Sequence, residues 1–121
     1  MKYLCLAYGI QQQMEALSKS EFEALMVKCQ MHDEELKKSG HLVSGTSLEW
    51  AAVSIRRRNG KVVVTDGPYV ETKEQIGGLV VIEAKDLNEA IRIAKLHPAA
   101  NLGEAEGWGI EVRPIADGCH Q

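Results

Sequence analysis

Aromatic residues are scarce in this chain, 5% of 121 residues with a single Phe. The core must therefore be assembled from Val, Ile, Leu, Ala and Met, which keeps it small. Cysteine is scarce too: Cys5, Cys29 and Cys119 form no C-x-x-C pair and no regular spacing, which makes a poor disulfide framework and fits a reducing, cytoplasmic compartment. No segment approaches the ~18 apolar residues of a spanning helix. The short apolar run Tyr3 to Ile10 lacks a small-x-small cleavage site, so the expectation is a protein neither secreted nor membrane-bound. Positive charge is not in excess either. A formal charge of -3 and a pI near 5.8 supply no field for phosphate backbones or anionic lipid, which argues against nucleic acid. The basic run Arg56-Arg57-Arg58 alternates between faces if it lies on a strand, and reads as a charged hairpin end that blocks edge pairing. H-E-x-x-H, Walker and Rossmann patterns are missing, and the scattered His and Cys make no metal site, so no metal or cofactor is expected.

What is present, 45% hydrophobic and 26% charged residues, suits one globular α+β domain spanning residues 1–121. Tyr3 to Tyr8 is short and apolar, a first strand. Ser18 and Glu21 form a capping box with Leu17 and Phe22 as the staple, which predicts a helix from Ser18 to about Ser39 with Gly40 as its stop. Its apolar stripe is Phe22, Leu25, Met26, Cys29 and Leu36. His41 to Gly45 reads as a second strand. Asn59-Gly60 between Ala51–Arg58 and Lys61–Thr65 predicts a hairpin with a type I′ turn. Gly67 and Pro68 break that ladder and open a loop to Ile76. Leu79 to Ile82 is a further strand, Asp86 and Glu89 a second capping box for a helix to about Leu96, Pro98 its stop, and Gly109 to Ile115 the last strand.

The order β-α-β, hairpin, β-α-β is a ferredoxin-like split βαβ with an inserted β-hairpin. Two helices cover one sheet face only. Leu79 to Ile82 is apolar on both sides, so the other face calls for a partner, most simply an identical subunit in a homodimer.

The run Thr65-Asp66-Gly67-Pro68-Tyr69-Val70-Glu71-Thr72-Lys73-Glu74-Gln75 closely resembles the signature of the DGPF (DGPFAETKE) branch of the YCII-related family, with Tyr69 for the usual Phe and Val70 for the usual Ala. The likeness extends to Asn59-Gly60-Lys61-Val62, Gly77-Gly78, the Asp86 helix, Pro98-Ala99-Ala100 and Glu111-Val112-Arg113-Pro114-Ile115. It implies a dimeric α+β barrel related to small enzymes and binding modules that use a pocket between sheet and helices. The better-studied YCII-like branch implies a His–Asp acid/base pair, the His on the first helix and the Asp near the following strand, a pattern met here in part.

The residues themselves give candidates. His32 falls between Cys29 and Leu36 and should point to the sheet side of the first helix, either as an acid/base group or as a partly buried His satisfied by a neighbour. Asp66 is either a base or the cap of its own turn. Glu71 is a second carboxylate candidate; burial would have to raise either one for it to work near neutrality. Lys73 would hold an anionic group, Thr72 and Tyr69 would contact a ligand, and Arg113 would pair with a carboxylate if it faced the pocket, or else close the sheet edge. His41, His97 and His120 stand at element ends, where exposure is the default. Two functions follow: a cofactor-independent acid/base enzyme (lyase, isomerase or oxygenase-like) for a small anionic molecule, or a non-catalytic ligand-binding or regulatory protein whose signature loop is a recognition surface.

Overall fold

A computed structural model describes residues 1–117; Cys119 and His120 lie outside them. Strand β1 (Lys2–Ile10) leads into a short helix α1 (Gln11–Glu15), then the long helix α2 (Lys19–Lys38) and β2 (Leu42–Ser47). The hairpin β3 (Val53–Arg58) and β4 (Lys61–Asp66) follows, then β5 (Glu74–Glu83), α3 (Leu87–Ala94), α4 (Pro98–Asn101), a 3-10 turn at Glu104–Glu106, and β6 (Gly109–Pro114). Four strands form one antiparallel sheet in the order β2-β5-β1-β6, while among the described residues β3 and β4 pair only with each other.

Local chemistry accounts for the main boundaries. The Ser18 hydroxyl accepts from the Glu21 N–H at 3.1 Å, and the Glu21 carboxylate accepts from the Ser18 N–H at 2.9 Å, satisfying two of the donors a helix start leaves open. Gly40 past the end of α2 has a positive φ of 79°. At the second start Asp86 caps Glu89, but the Glu89 carboxylate turns to the Lys85 N–H, one residue earlier than a full capping box requires. Asn59 and Gly60 have φ of 51° and 76°, the pair of positive angles that a type I′ turn demands.

Two expectations change. Pro98 does not merely stop α3, which ends at Ala94; it opens α4 at the first helical position, where a missing N–H costs nothing. The loop after Pro68 is shorter than expected, because β5 begins at Glu74 and pairs with the extended end of β1.

One sheet face carries the core. Tyr3 and Cys5 of β1 and Val80 and Ile82 of β5 pack against Leu36 of α2 and Ala90, Ile93 and Ala94 of α3. Leu4 and Leu6 point the other way, paired with Val81 and Leu79 on β5 and with Arg113 and Glu111 on β6; no helix covers this face in the core cluster. The hairpin is exposed throughout β4, and Val53, Ile55, Val62 and Val64 each leave more than 60% of their surface to solvent. No helix among the described residues is long and apolar enough to cross a membrane.

Candidate functional site

Only Leu36 of α2 is fully buried. The rest of its apolar stripe is half-buried or exposed, because the sheet beneath it is paved with Ala7, Gly9, Gly45, Gly77 and Gly78, whose small or absent side chains leave the space unfilled. The result is a cavity of about 660 Å³ between α2 and the strands β1, β2 and β5. Phe22, Met26, Cys29, Asp33 and Lys37 line it from α2, and His97 from the α3–α4 junction.

Its two ends differ. At one, the chain's two tryptophans, Trp50 and Trp108, converge above Gly9: a Cβ built there would lie 3.5 Å from Trp50 Cη2 and 3.2 Å from Trp108 Cδ1. The Trp108 indole N–H donates to Met14 Sδ at 3.1 Å, which ties α1 to the start of β6. At the other end stand Cys29, Asp33 and His97. Burial pushes the Cys29 thiol up to about 11, and the Asp33 carboxylate adds to this, so the thiol is protonated at neutral pH and is no nucleophile. Burial also lowers the His97 pKa, opposed by Asp33, and the ring is neutral at pH 7.

His97 serves the backbone as well. It is the N-cap of α4, with the Ala99 N–H donating to its Nδ1 at 2.9 Å. Its expected exposure is thus corrected: the ring is half-buried and lines the cavity. His41 likewise holds the Glu83 carbonyl through Nδ1 at 2.8 Å.

The residues singled out by sequence lie elsewhere. His32 is half-buried on α2 and borders neither this cavity nor a second, open depression of about 620 Å³. Asp66, the exposed last residue of β4, lines that depression with Gly67, Pro68, Gln11 and Gln75. Trp50 borders both, so it stands as a wall between Asp66 and the Asp33–His97 end. The signature loop is fastened along β3. Gly67 N–H donates to the Ala52 carbonyl at 2.8 Å, the Ser54 hydroxyl to the Gly67 carbonyl at 2.7 Å, and Arg56 to the Tyr69 carbonyl at 3.1 Å, with its guanidinium 4.3 Å above the Tyr69 ring. Tyr69, Glu71, Thr72 and Lys73 are exposed and line neither space; Thr72 donates to Glu74 at 3.2 Å. Arg113 is exposed on the sheet face opposite the core, 3.5 Å from Glu111, which also accepts from the Tyr8 hydroxyl at 3.3 Å.

Asp33, unlike the other residues of the cavity's polar end, carries a signal in the sequence. It lies four residues after Cys29 and three before Leu36, the centre of the stripe, where a carboxylate among apolar neighbours is unexpected. The tryptophans left no comparable sequence signal, since only the sheet topology brings positions 50 and 108 together.

A four-stranded antiparallel sheet with helices on one face and a glycine-floored cavity between them defines a small α+β domain with an internal ligand-sized space. The family model of the YCII-related domain matches residues 1–115, and the chain belongs to the YCII-related family. An uncharacterised protein of Rhizobium meliloti (strain 1021) is 33% identical over 118 residues, 96% of this chain and 93% of that one. In fold the chain is similar to the 5-chloro-2-hydroxyhydroquinone dehydrochlorinase of Burkholderia phenoliruptrix AC1100, solved in complex with 2,5-dihydroxybenzoquinone. That likeness has a TM-score of 0.50 at 13% identity, over 98% of this chain and 96% of that one.

Proposed function

We propose that this YCII-related protein, of the DGPF branch, is a cytoplasmic acid/base enzyme. Its substrate is a small, oxygen-bearing molecule that carries or develops negative charge, bound between α2 and the sheet. One observation carries the reading: a carboxylate, Asp33, and a neutral imidazole, His97, line the same cavity as two indoles and a cation, Lys37. An acceptor and a donor of protons held over an apolar floor are the parts that proton abstraction next to a carbonyl or phenol requires. The similar fold of an enzyme solved with a small oxygenated ring supports a small-molecule role for the domain.

A second reading rests on the open depression beside Trp50. There Asp66 would be the base; Glu71, Lys73, Thr72 and Tyr69 of the signature loop, Arg113 and His32 line no part of the depression and would meet a ligand only from a neighbouring subunit or after a movement of their elements. The strand order β2-β5-β1-β6 supports a ferredoxin-like sheet, and its helix-free face, where Leu4, Leu79 and Val81 stay half-buried around the buried Leu6, supports a homodimer that covers it.

The test is a small-molecule screen read by tryptophan fluorescence, followed by turnover assays on the hits. Asp33→Asn should abolish turnover while Asp66→Asn leaves it; the reverse pattern would transfer the chemistry to the depression. Binding without turnover in any variant would favour a non-catalytic ligand-binding protein. Light scattering should report twice the monomer mass, and a monomer at high concentration would remove the dimer.

A further inference from the structure

The hairpin of β3 and β4 has two unlike faces. Its register pairs Val53 with Asp66, Ile55 with Val64 and Arg57 with Val62, so these six side chains share one face, while Ser54, Arg56, Val63 and Thr65 share the other. The signature loop covers the second face: the Ser54 hydroxyl donates to the Gly67 carbonyl, and Arg56 donates to the Tyr69 carbonyl and lies over its ring. The first face stays bare. Val53, Ile55, Val62 and Val64 are 61%, 63%, 64% and 63% exposed there, four neighbouring aliphatic side chains on a two-stranded ribbon that is marginal in water without a cover. The ends of this face carry opposite charge. Arg57 stands near the turn and Asp66 at the base, separated along the ribbon by roughly 13 Å at ~3.3 Å per residue, too far to meet within one hairpin. Among the described residues neither is in an ion pair, and Arg57 spends one N–H on the Gly60 carbonyl at 2.8 Å.

We infer that this face binds the same face of a second copy, about a two-fold axis that crosses the strands at the Ile55–Val64 pair, so that Arg57 of each copy meets Asp66 of the other. In that arrangement Ile55 and Val64 meet their own counterparts. Asp66 lies over the partner's Val62, and the partner's Arg57 stands beside that valine across the ladder, within reach of a long side chain. A two-fold axis along the strands brings arginine to arginine and aspartate to aspartate, and like charges select against it. An apolar centre with opposite charges at its two ends is self-complementary, which is what an isologous contact between identical chains requires. Val53 and Asp66 also line the open depression, so each copy supplies an arginine to the rim of the other's depression. This rests on the homodimer proposed above and adds a contact outside its sheet face.

Charge reversal in separate chains is the test. Arg57→Asp sets two acidic pairs in its own dimer and Asp66→Arg two basic pairs, whereas the mixed dimer of the two variants has two pairs of opposite charge. Each variant alone should self-associate roughly tenfold or more weakly than the wild type. Native mass spectrometry of an equimolar mixture should show the mixed dimer well above the half that random exchange gives. Ile55→Lys, at a site exposed in the single copy, should leave the far-ultraviolet circular dichroism unchanged and weaken self-association in sedimentation equilibrium. A random distribution of dimers, or Ile55→Lys association equal to the wild type, overturns the inference and leaves the sheet-face dimer standing. A wild-type chain that stays monomeric at high concentration overturns both.

Discussion

Replacing Gly9 by valine tests the origin of the cavity. Gly9 is buried in β1, and its φ is not in the left-handed region, so the backbone accepts a side chain. The space does not. A Cβ would sit 3.2 Å from Trp108 Cδ1, 3.4 Å from its Nε1 and 3.5 Å from Trp50 Cη2. Alanine asks Trp108 to give by a few tenths of an ångström, and this strain is offset by the roughly 0.4–1 kcal/mol that lost freedom of the unfolded chain returns. Gly9→Ala should therefore be nearly neutral. Valine adds two methyls that both indoles must clear, an overpacking cost of about 1–3 kcal/mol. At roughly 3–6 °C per kcal/mol for a domain of this length, Gly9→Val should melt well below Gly9→Ala. Its tryptophan emission should shift, because the Trp108 bond to Met14 at 3.1 Å cannot survive the displacement, and binding of toluene, a small apolar probe, in the cavity should fall. A valine variant with wild-type melting, emission and probe binding would refute the claim that glycine here holds the space open.

His97→Ala should cost about 1 kcal/mol through loss of the α4 cap, and His97→Asn much less, since Asn caps well; equal losses by thermal melts would mean the ring contributes packing instead. Because burial holds the His97 pKa below its usual 6.5, the unfolded chain takes up the proton first. Stability is fully present above about pH 6.5 and declines as pH falls toward the folded value. Urea melts of His97→Asn should lose this part of the pH dependence. Arg56→Ala should cost up to about 1 kcal/mol, the usual worth of a partly exposed cation–π contact. It should also speed hydrogen exchange in residues 66–74 while the core stays protected; unchanged exchange would mean the loop is held without the clamp.

The elements most legible in the sequence were those fixed by neighbours in the chain. Ser18 with Glu21 announced α2, and Asn59-Gly60 the hairpin, because capping and turn chemistry act within four residues. Helix α1 gave no such signal: its N-cap, Ile10, makes no side-chain bond and none of its residues is buried. The exposure expected of His97 does not hold because Pro98 reads equally as a stop and as a start, and only the tertiary position of α4 beside α2 decides. The signature loop drew attention to Asp66 and its neighbours through composition, whereas the cavity arises from what is missing, the side chains of Gly9, Gly45, Gly77 and Gly78 under α2. Glycines in three different strands become one floor only when the β2-β5-β1 order is known.

The most direct test is ligand-observed and indole-observed NMR with a small oxygenated aromatic such as catechol. If the cavity is the site, both tryptophan indole N–H signals and the Asp33 and His97 backbone signals should move together and saturate at one concentration, with the residue 69–73 amides still. If those loop amides and Asp66 move while Trp108 and His97 do not, the site is the depression at the signature loop and the account of the cavity is wrong.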